Sequence, residues 1–397
     1  MSVTISQAAY AQGGKMTRKS TPYLKRLALT MTCVLLILSG LSSAISTTHA
    51  QTRAYVSNSS DNTVSVIDTA TNTVITTIPT GAFALLVAIT PDGTRAYVTN
   101  QGVFDTGSVT VIDTASNTVI ATILNGVFAQ GIAFAPNGAR AYITDANTNS
   151  VLVVDTATNT VIASIPAGIA PRGLAVTPDG TRLYVVEQFT NIVFVIDTAT
   201  NTVITTIPLG VAPLDNGARA LAITPDGTRV YVTNFAFNSS VSVIDTTTNT
   251  VIATIPTGTN TIAPSDQDIA LTPDGTRAYV SNPLAETVFV IDIATNTVVA
   301  TIPFPFGSPQ RLAVTPDGLR VYVVNGAPGA VSVIDTTTNA VITSIPVGSN
   351  PIGIAITPLI DPKTKDECKN GGYRKFMPPA GPFKNQGQCI KSVINAP

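Results

Sequence analysis

Residues 141–180 read AYITDANTNSVLVVDTATNTVIASIPAGIAPRGLAVTPDG, and this stretch decides the fold. It holds four strand-like runs: Ala141–Thr144, Ser150–Asp155, Thr160–Ile165 and Gly173–Thr177. All are rich in Val, Ile, Thr and Tyr, which suit a pleated sheet. Two of the connections are tight. In Pro178-Asp179-Gly180 the proline presets φ near −65° and the glycine accepts positive φ, so a hairpin turn is expected. In Asp155-Thr-Ala-Thr-Asn159 the aspartate can accept backbone N–H groups ahead of it, and the asparagine tolerates a left-handed conformation.

The same unit recurs seven times between Tyr55 and Pro358. Its leading tyrosines are Tyr55, Tyr97, Tyr142, Tyr184, Tyr231, Tyr279 and Tyr322, spaced 42, 45, 42, 47, 48 and 43 residues apart. A repeat of that length with four strands inside it marks a β-propeller. One four-stranded blade cannot bury both of its apolar faces, but seven stacked around an axis can. Weak alternation in Val151-Leu-Val-Val-Asp155 fits a strand covered on both sides.

The ends of the repeat region predict a closed ring. The first strand, Arg53–Ser57, lacks the G-I-A-I-T run that precedes its counterpart in every other unit. The missing run stands at the other end, Gly353–Thr357. It is expected to become the inner strand of the first blade, removing the open edges that an unclosed array would carry. The fold class is therefore all-β: a seven-bladed propeller of four-stranded antiparallel blades, with a small disulfide-closed C-terminal extension.

Three segments are expected: a signal peptide at 1–50, the propeller at 51–360 and a basic extension at 361–397. Lys15, Arg18, Lys19, Lys25 and Arg26 precede an apolar run at Leu27–Leu41 and small residues at Thr48 and Ala50. That order reads as a secretory signal cleaved before Gln51, with Met16 a second candidate start. The run is shorter than the ~20 residues a membrane span needs. The signal carries the only histidine, His49, and Cys33.

Between Gln51 and Ile360 there are twenty Asp and Glu, ten Arg and no Lys, a net charge of −10. An acidic body argues against nucleic acid as a partner, because phosphate binding needs positive surface. From Asp361 onward seven basic residues face three acidic ones. Cys368 and Cys389 are the only cysteines beyond the signal. In an exported chain they most simply form one disulfide.

The motifs Tyr97-Val-Thr-Asn100 and Tyr231-Val-Thr-Asn234, with the accompanying V-I-D-T and P-D-G, resemble the YVTN family of β-propeller repeats. The resemblance covers about 300 residues. It implies a secreted, periplasmic or cell-surface protein with a binding role, and brings no shared catalytic residues. Cys368-Lys-Asn-Gly-Gly-Tyr-Arg-Lys-Phe376 and Phe383-Lys-Asn-Gln-Gly-Gln-Cys389 resemble a short C-terminal motif of secreted bacterial proteins.

Comparing the units with one another locates the functional face. The P-D-G and D-T-A-T-N turns vary little. The loops after Y-V-T-N and after I-P vary in length and chemistry, the longest being Leu209–Arg219 and Thr257–Asp268. Divergent loops on one face are where function is expected. They hold eight Phe: Phe83, Phe104, Phe128, Phe189, Phe235, Phe237, Phe304 and Phe306. Either these form a contact surface, Phe235 and Phe237 foremost, or they fold back as satellite core.

The residue before each inner-strand run should face the channel mouth: Leu85, Gln130, Arg172, Arg219, Gln267, Gln310 and Ile352. The next position adds Asp268 and Arg311. Arg and Gln there suit a carboxylate or a sugar.

The leading reading is a monomeric binding scaffold for a protein or a cell-envelope polysaccharide, with no cofactor, no metal and no catalysis. The alternative is a lactonase-like propeller enzyme. Without histidine, its candidate carboxylates are Glu187, Asp215, Asp266 and Asp268. The turn aspartates are expected to serve their own turns.

Overall fold

The computed structural model describes residues 52–359 except 104–105, 125, 211–216, 235–238, 258–267 and 305–306. The chain divides between Thr48 and His49, and every described residue lies in the second part. The described residues form twenty-eight strands in seven four-stranded antiparallel sheets. In the third sheet the strands are Ala129–Phe134, Arg140–Asp145, Ser150–Asp155 and Thr160–Pro166. The blades are numbered here in chain order, blade 1 holding Arg53–Asn58.

Blade 1 is completed from the far end of the chain. Pro351–Ile356 pairs with Arg53–Asn58, with Tyr55 opposite Ala355 and Val56 opposite Ile354. The ring is therefore closed as the offset of the repeat predicts.

The two uniform turns adopt the expected geometry. In the D-T-A-T-N turns Asn72, Asn117, Asn159, Asn201, Asn249, Asn296 and Asn339 have φ between 53° and 56°. Asp155 Oδ1 accepts the N–H groups of Ala157 and Thr158, and Asp197 and Asp335 repeat the pattern. These bonds favour the ionised carboxyl. The backbone N–H three residues on is the leading cause that holds Asp155, Asp197 and Asp335 below the ordinary carboxylate value.

Repeated side chains tie neighbouring blades together. The arginine after each P-D-G or P-N-G turn, with its counterpart Arg53, donates from Nη1 to a carbonyl in the next blade's D-T-A-T-N turn. Arg95 bonds Thr156 O at 2.7 Å and Arg182 bonds Thr246 O at 2.6 Å. Arg53, Arg140, Arg229, Arg277 and Arg320 do the same. Seven of the body's ten arginines are thus used as latches, which leaves Arg172, Arg219 and Arg311.

In six of the seven blades the buried repeat tyrosine reaches the asparagine of the same neighbouring turn. Tyr97 Oη donates to Asn159 Oδ1 at 2.6 Å and Tyr231 Oη to Asn296 Oδ1 at 2.6 Å. Near the axis, the hydroxyl of the Y-V-T-N threonine or serine bridges to the next inner strand. Ser57 Oγ donates to Leu85 O at 2.7 Å and Thr144 Oγ1 to Arg172 O at 3.0 Å.

Apolar clusters fill the seams between adjacent blades, as in Tyr184, Val186, Val195, Leu221 and Val232. The outer strands depart from the expectation of two covered faces. Val74, Ile75, Val161, Ile162, Val203 and Ile204 are exposed, because nothing beyond the fourth strand covers the rim.

Candidate functional site

The inner strands converge on the axis and line an open cavity of about 160 Å³. Its polar wall is Gln130, Asp268 and Arg311; Leu86, Val87, Ile132, Leu174, Leu221 and Ile354 supply the apolar wall.

The lining is displaced from the sequence expectation by one to two residues. Of the seven positions expected at the mouth, Gln130 lines the cavity, joined by Asp268 and Arg311 from the following position. The cause is a β-bulge near the start of the inner strands. Pairing shifts between Ala84 and Val87, between Pro171 and Leu174, between Ala218 and Leu221, and between Pro309 and Leu312. A bulge inserts an extra residue and re-aims the side chains after it. Simple alternation therefore cannot place this wall. The apolar residues were visible in the sequence only as strand formers.

The third inner-strand position is also where blades come closest. A Cβ at Gly131 would lie 2.2 Å from Arg172 O, and one at Gly173 would lie 2.6 Å from Arg219 O. Blade 6 has Asp268 at this position, and its carboxylate bonds to the neighbouring blade. Oδ2 accepts the backbone N–H of Leu312 at 3.1 Å, and Oδ1 accepts Arg311 Nη1 at 3.3 Å. The Asp268 N–H is held by Ser281 Oγ at 3.0 Å, while Ser281 Oγ donates to Gln310 O at 2.5 Å.

The pair spans blades 6 and 7, and its side chains are 14% and 20% exposed for Asp268 and Arg311. It is therefore partly screened from water yet open to a ligand. Arg311 Nε is buried with no hydrogen-bond partner among the described residues.

The other expected site residues are arranged differently. Arg172 Nε donates to Gln188 Oε1 in its own blade at 2.5 Å, and Arg219 is buried; neither lines the cavity. Gln310, Leu85 and Ile352 are half-buried beside it. Gln267, Phe235 and Phe237 lie outside the described residues, as do Phe104, Phe306, Asp215, Asp266, Cys368 and Cys389.

Glu187, a candidate carboxylate, is buried and accepts the N–H groups of Phe189 and Thr190 and the Thr190 hydroxyl. It caps its own turn. Phe304 is core, packed with Leu312 and Tyr279, whereas Phe83 and Phe189 are exposed on the divergent-loop face. The satellite-core and contact-surface readings therefore each hold for some of the eight. Among the described residues, no three His, Cys, Asp or Glu side chains gather as a metal ligand set. No helix among them is long and apolar enough to cross a membrane.

Known proteins place this geometry in a wider group. Residues 192–341, which include both Asp268 and Arg311, match the family described as lactonase, 7-bladed beta-propeller. Residues 72–218 match the choice-of-anchor I domain. No curated protein matches the chain.

Among solved structures, the chain is similar to hydrazine synthase of Kuenenia stuttgartiensis. The two are 24% identical with a TM-score of 0.59, covering 68% of this chain and 88% of that one. A functionally unknown protein from Desulfotomaculum acetoxidans DSM 771 gives 19% identity and a TM-score of 0.64, over 77% of this chain and 99% of that one. Dihydro-heme d1 dehydrogenase NirN gives 17% identity and a TM-score of 0.56, over 76% of this chain and 74% of that one. At these identities the structures establish the propeller fold alone.

The lactonase match overturns the expectation that the chain is no enzyme. That expectation rested on the missing histidine. An Asp–Arg pair at a channel can do acid–base and electrostatic work without one.

Proposed function

We propose that this protein is a propeller hydrolase of lactonase type that opens a cyclic ester at the mouth of its central channel. The observation that carries the reading is the Asp268–Arg311 pair in the channel wall, within the segment that matches the lactonase model. Asp268 is the general base. Oδ1 accepts Arg311 Nη1 and Oδ2 accepts the backbone N–H of Leu312, which orients the carboxylate in the channel wall. Arg311 is the electrostatic partner, a cation in the channel wall.

In the reaction, the water oxygen bonds to the lactone carbonyl carbon and its proton passes to Asp268. The charge developing on the carbonyl oxygen faces Arg311. The ring C–O bond then breaks, the ring oxygen takes the proton back, and a hydroxy acid leaves. The basic, apolar and small-residue order of residues 15–50 supports action outside the cytoplasm.

The test is acid release from a panel of five- and six-membered lactones by the full chain. Asp268→Asn should lower kcat/KM by about 10²–10⁴, the usual worth of a general base. Hydrolysis that persists in both Asp268→Asn and Arg311→Gln, or a panel with no turnover, would remove the proposal.

A further inference from the structure

We infer that the channel selects compounds with a short apolar substituent, about six carbons long, whose carbonyl or carboxylate oxygen meets Arg311. The inference deepens the proposed function, since it rests on the channel mouth being the site. Three observations support it.

The first is the division of the wall. Leu174, Leu221, Ile354, Val87 and Ile132 come from blades 4, 5, 1, 2 and 3, whereas the charged pair comes from blades 6 and 7. The wall thus joins apolar side chains from five blades to Gln130 of blade 3 and the ionic pair of blades 6 and 7. A uniformly polar sugar would leave its hydroxyls unpaired against the apolar side chains, at a cost for each.

The second is size. At about 160 Å³ the cavity matches the ~150 Å³ hydrocarbon-lined cavity known to admit benzene, a six-carbon body. The blades pack closely, backbone against backbone, around it. A Cβ at Gly353 would lie 2.5 Å from Leu85 O, and the corresponding approach at Gly131 is closer still.

The third is the cation in the wall. The Arg311 side chain lines the cavity and is 20% exposed, with Nη1 bound to Asp268. A guanidinium carries five N–H donors, so it can meet a ligand oxygen while keeping that bond.

Calorimetric titration of the full chain with acetate, butanoate, hexanoate and decanoate tests this. Affinity should rise about fourfold for each added CH₂ up to hexanoate, the worth of burying a methylene, and then level off. Arg311→Gln should weaken all four acids by a similar factor and leave the increment per carbon intact. Ile132→Phe, checked for an unchanged melting temperature, should move the plateau to butanoate; if it does not fold, Val87→Ile gives a smaller shift in the same direction. Affinity independent of length, or still rising at decanoate, overturns the inference. Length-dependent binding without lactone turnover would remove the hydrolase reading and keep this one. Turnover without length dependence would do the reverse.

Discussion

Arg320 Nη1 donates to the carbonyl oxygen of Thr69 across 2.7 Å, joining the seventh blade to the first although the residues stand 251 apart in sequence. Arg53, near the start of the repeats, makes the equivalent bond to Thr114 of blade 2. The ring is thus latched at its closing seam as it is elsewhere. A hydrogen bond from a charged donor contributes roughly 1.5–3 kcal/mol, so seven of them are a large share of a domain's net stability of about 5–15 kcal/mol.

Arg320→Ala should therefore destabilise the propeller by about 2 kcal/mol. Tyr322→Phe, which removes the 2.6 Å bond to Asn72 at the same seam, should cost about 1 kcal/mol. Urea unfolding measures both. Costs below about 0.5 kcal/mol for the arginine would show that the latch is incidental.

Ending the chain before Pro351 removes the inner strand of blade 1 and uncovers Val56 and its neighbours in the closing seam. That protein should melt well below the full chain or fail to stay soluble. Ending it after Pro358 keeps the strand and should leave the propeller transition in place. Equal melting of both truncations would mean that closure adds nothing.

Acid should act through the turns. The folded pKa of Asp113, Asp155, Asp197, Asp245, Asp292 and Asp335 is held below the ordinary carboxylate value, first by the backbone N–H three residues on. A depressed carboxyl contributes stability that is present above its unfolded pKa and lost as pH falls through its folded pKa. Melting temperature should hold down to about pH 4 and then decline.

Alkali should act through the tyrosines. Burial raises the pKa of Tyr55, Tyr97, Tyr184, Tyr231, Tyr279 and Tyr322 above the ordinary phenol value, against the opposing pull of the latch arginines. A raised pKa gives stability that is complete below the unfolded value and lost as pH rises through the folded one. Phenolate absorbance should therefore appear late, together with unfolding above about pH 10. Ordinary tyrosine titration with the fold intact would contradict the packing described.

Gly131→Ala should cost about 1–3 kcal/mol, as overpacking does, because its Cβ would meet the Arg172 carbonyl oxygen at 2.2 Å. Denaturant midpoints would measure this. A neutral outcome would show that the blades can spread and that the channel width is not fixed.

The sequence by itself determined the blade count, the turns and the closure. Each depends on short-range chemistry that is repeated: Gly and Asn where φ is positive, Asp where N–H groups need an acceptor, and a strand missing at one end and present at the other. The same residues concealed a second role. Asn159 sets a left-handed turn, which the sequence announces, and it also receives Tyr97 from the preceding blade, which only stacking decides. The latch arginines likewise look like free surface charge until the neighbouring blade is in place.

The channel wall was legible in residue type but not in register. A bulge at the head of most inner strands is a property of the paired strands, so no single run announces it, and it moved the lining off the position that alternation selects. The Asp268–Arg311 pair lies further still from sequence reasoning. Two residues 43 apart become partners because blades 6 and 7 converge on one axis, which brings a carboxylate and a guanidinium within 3.3 Å.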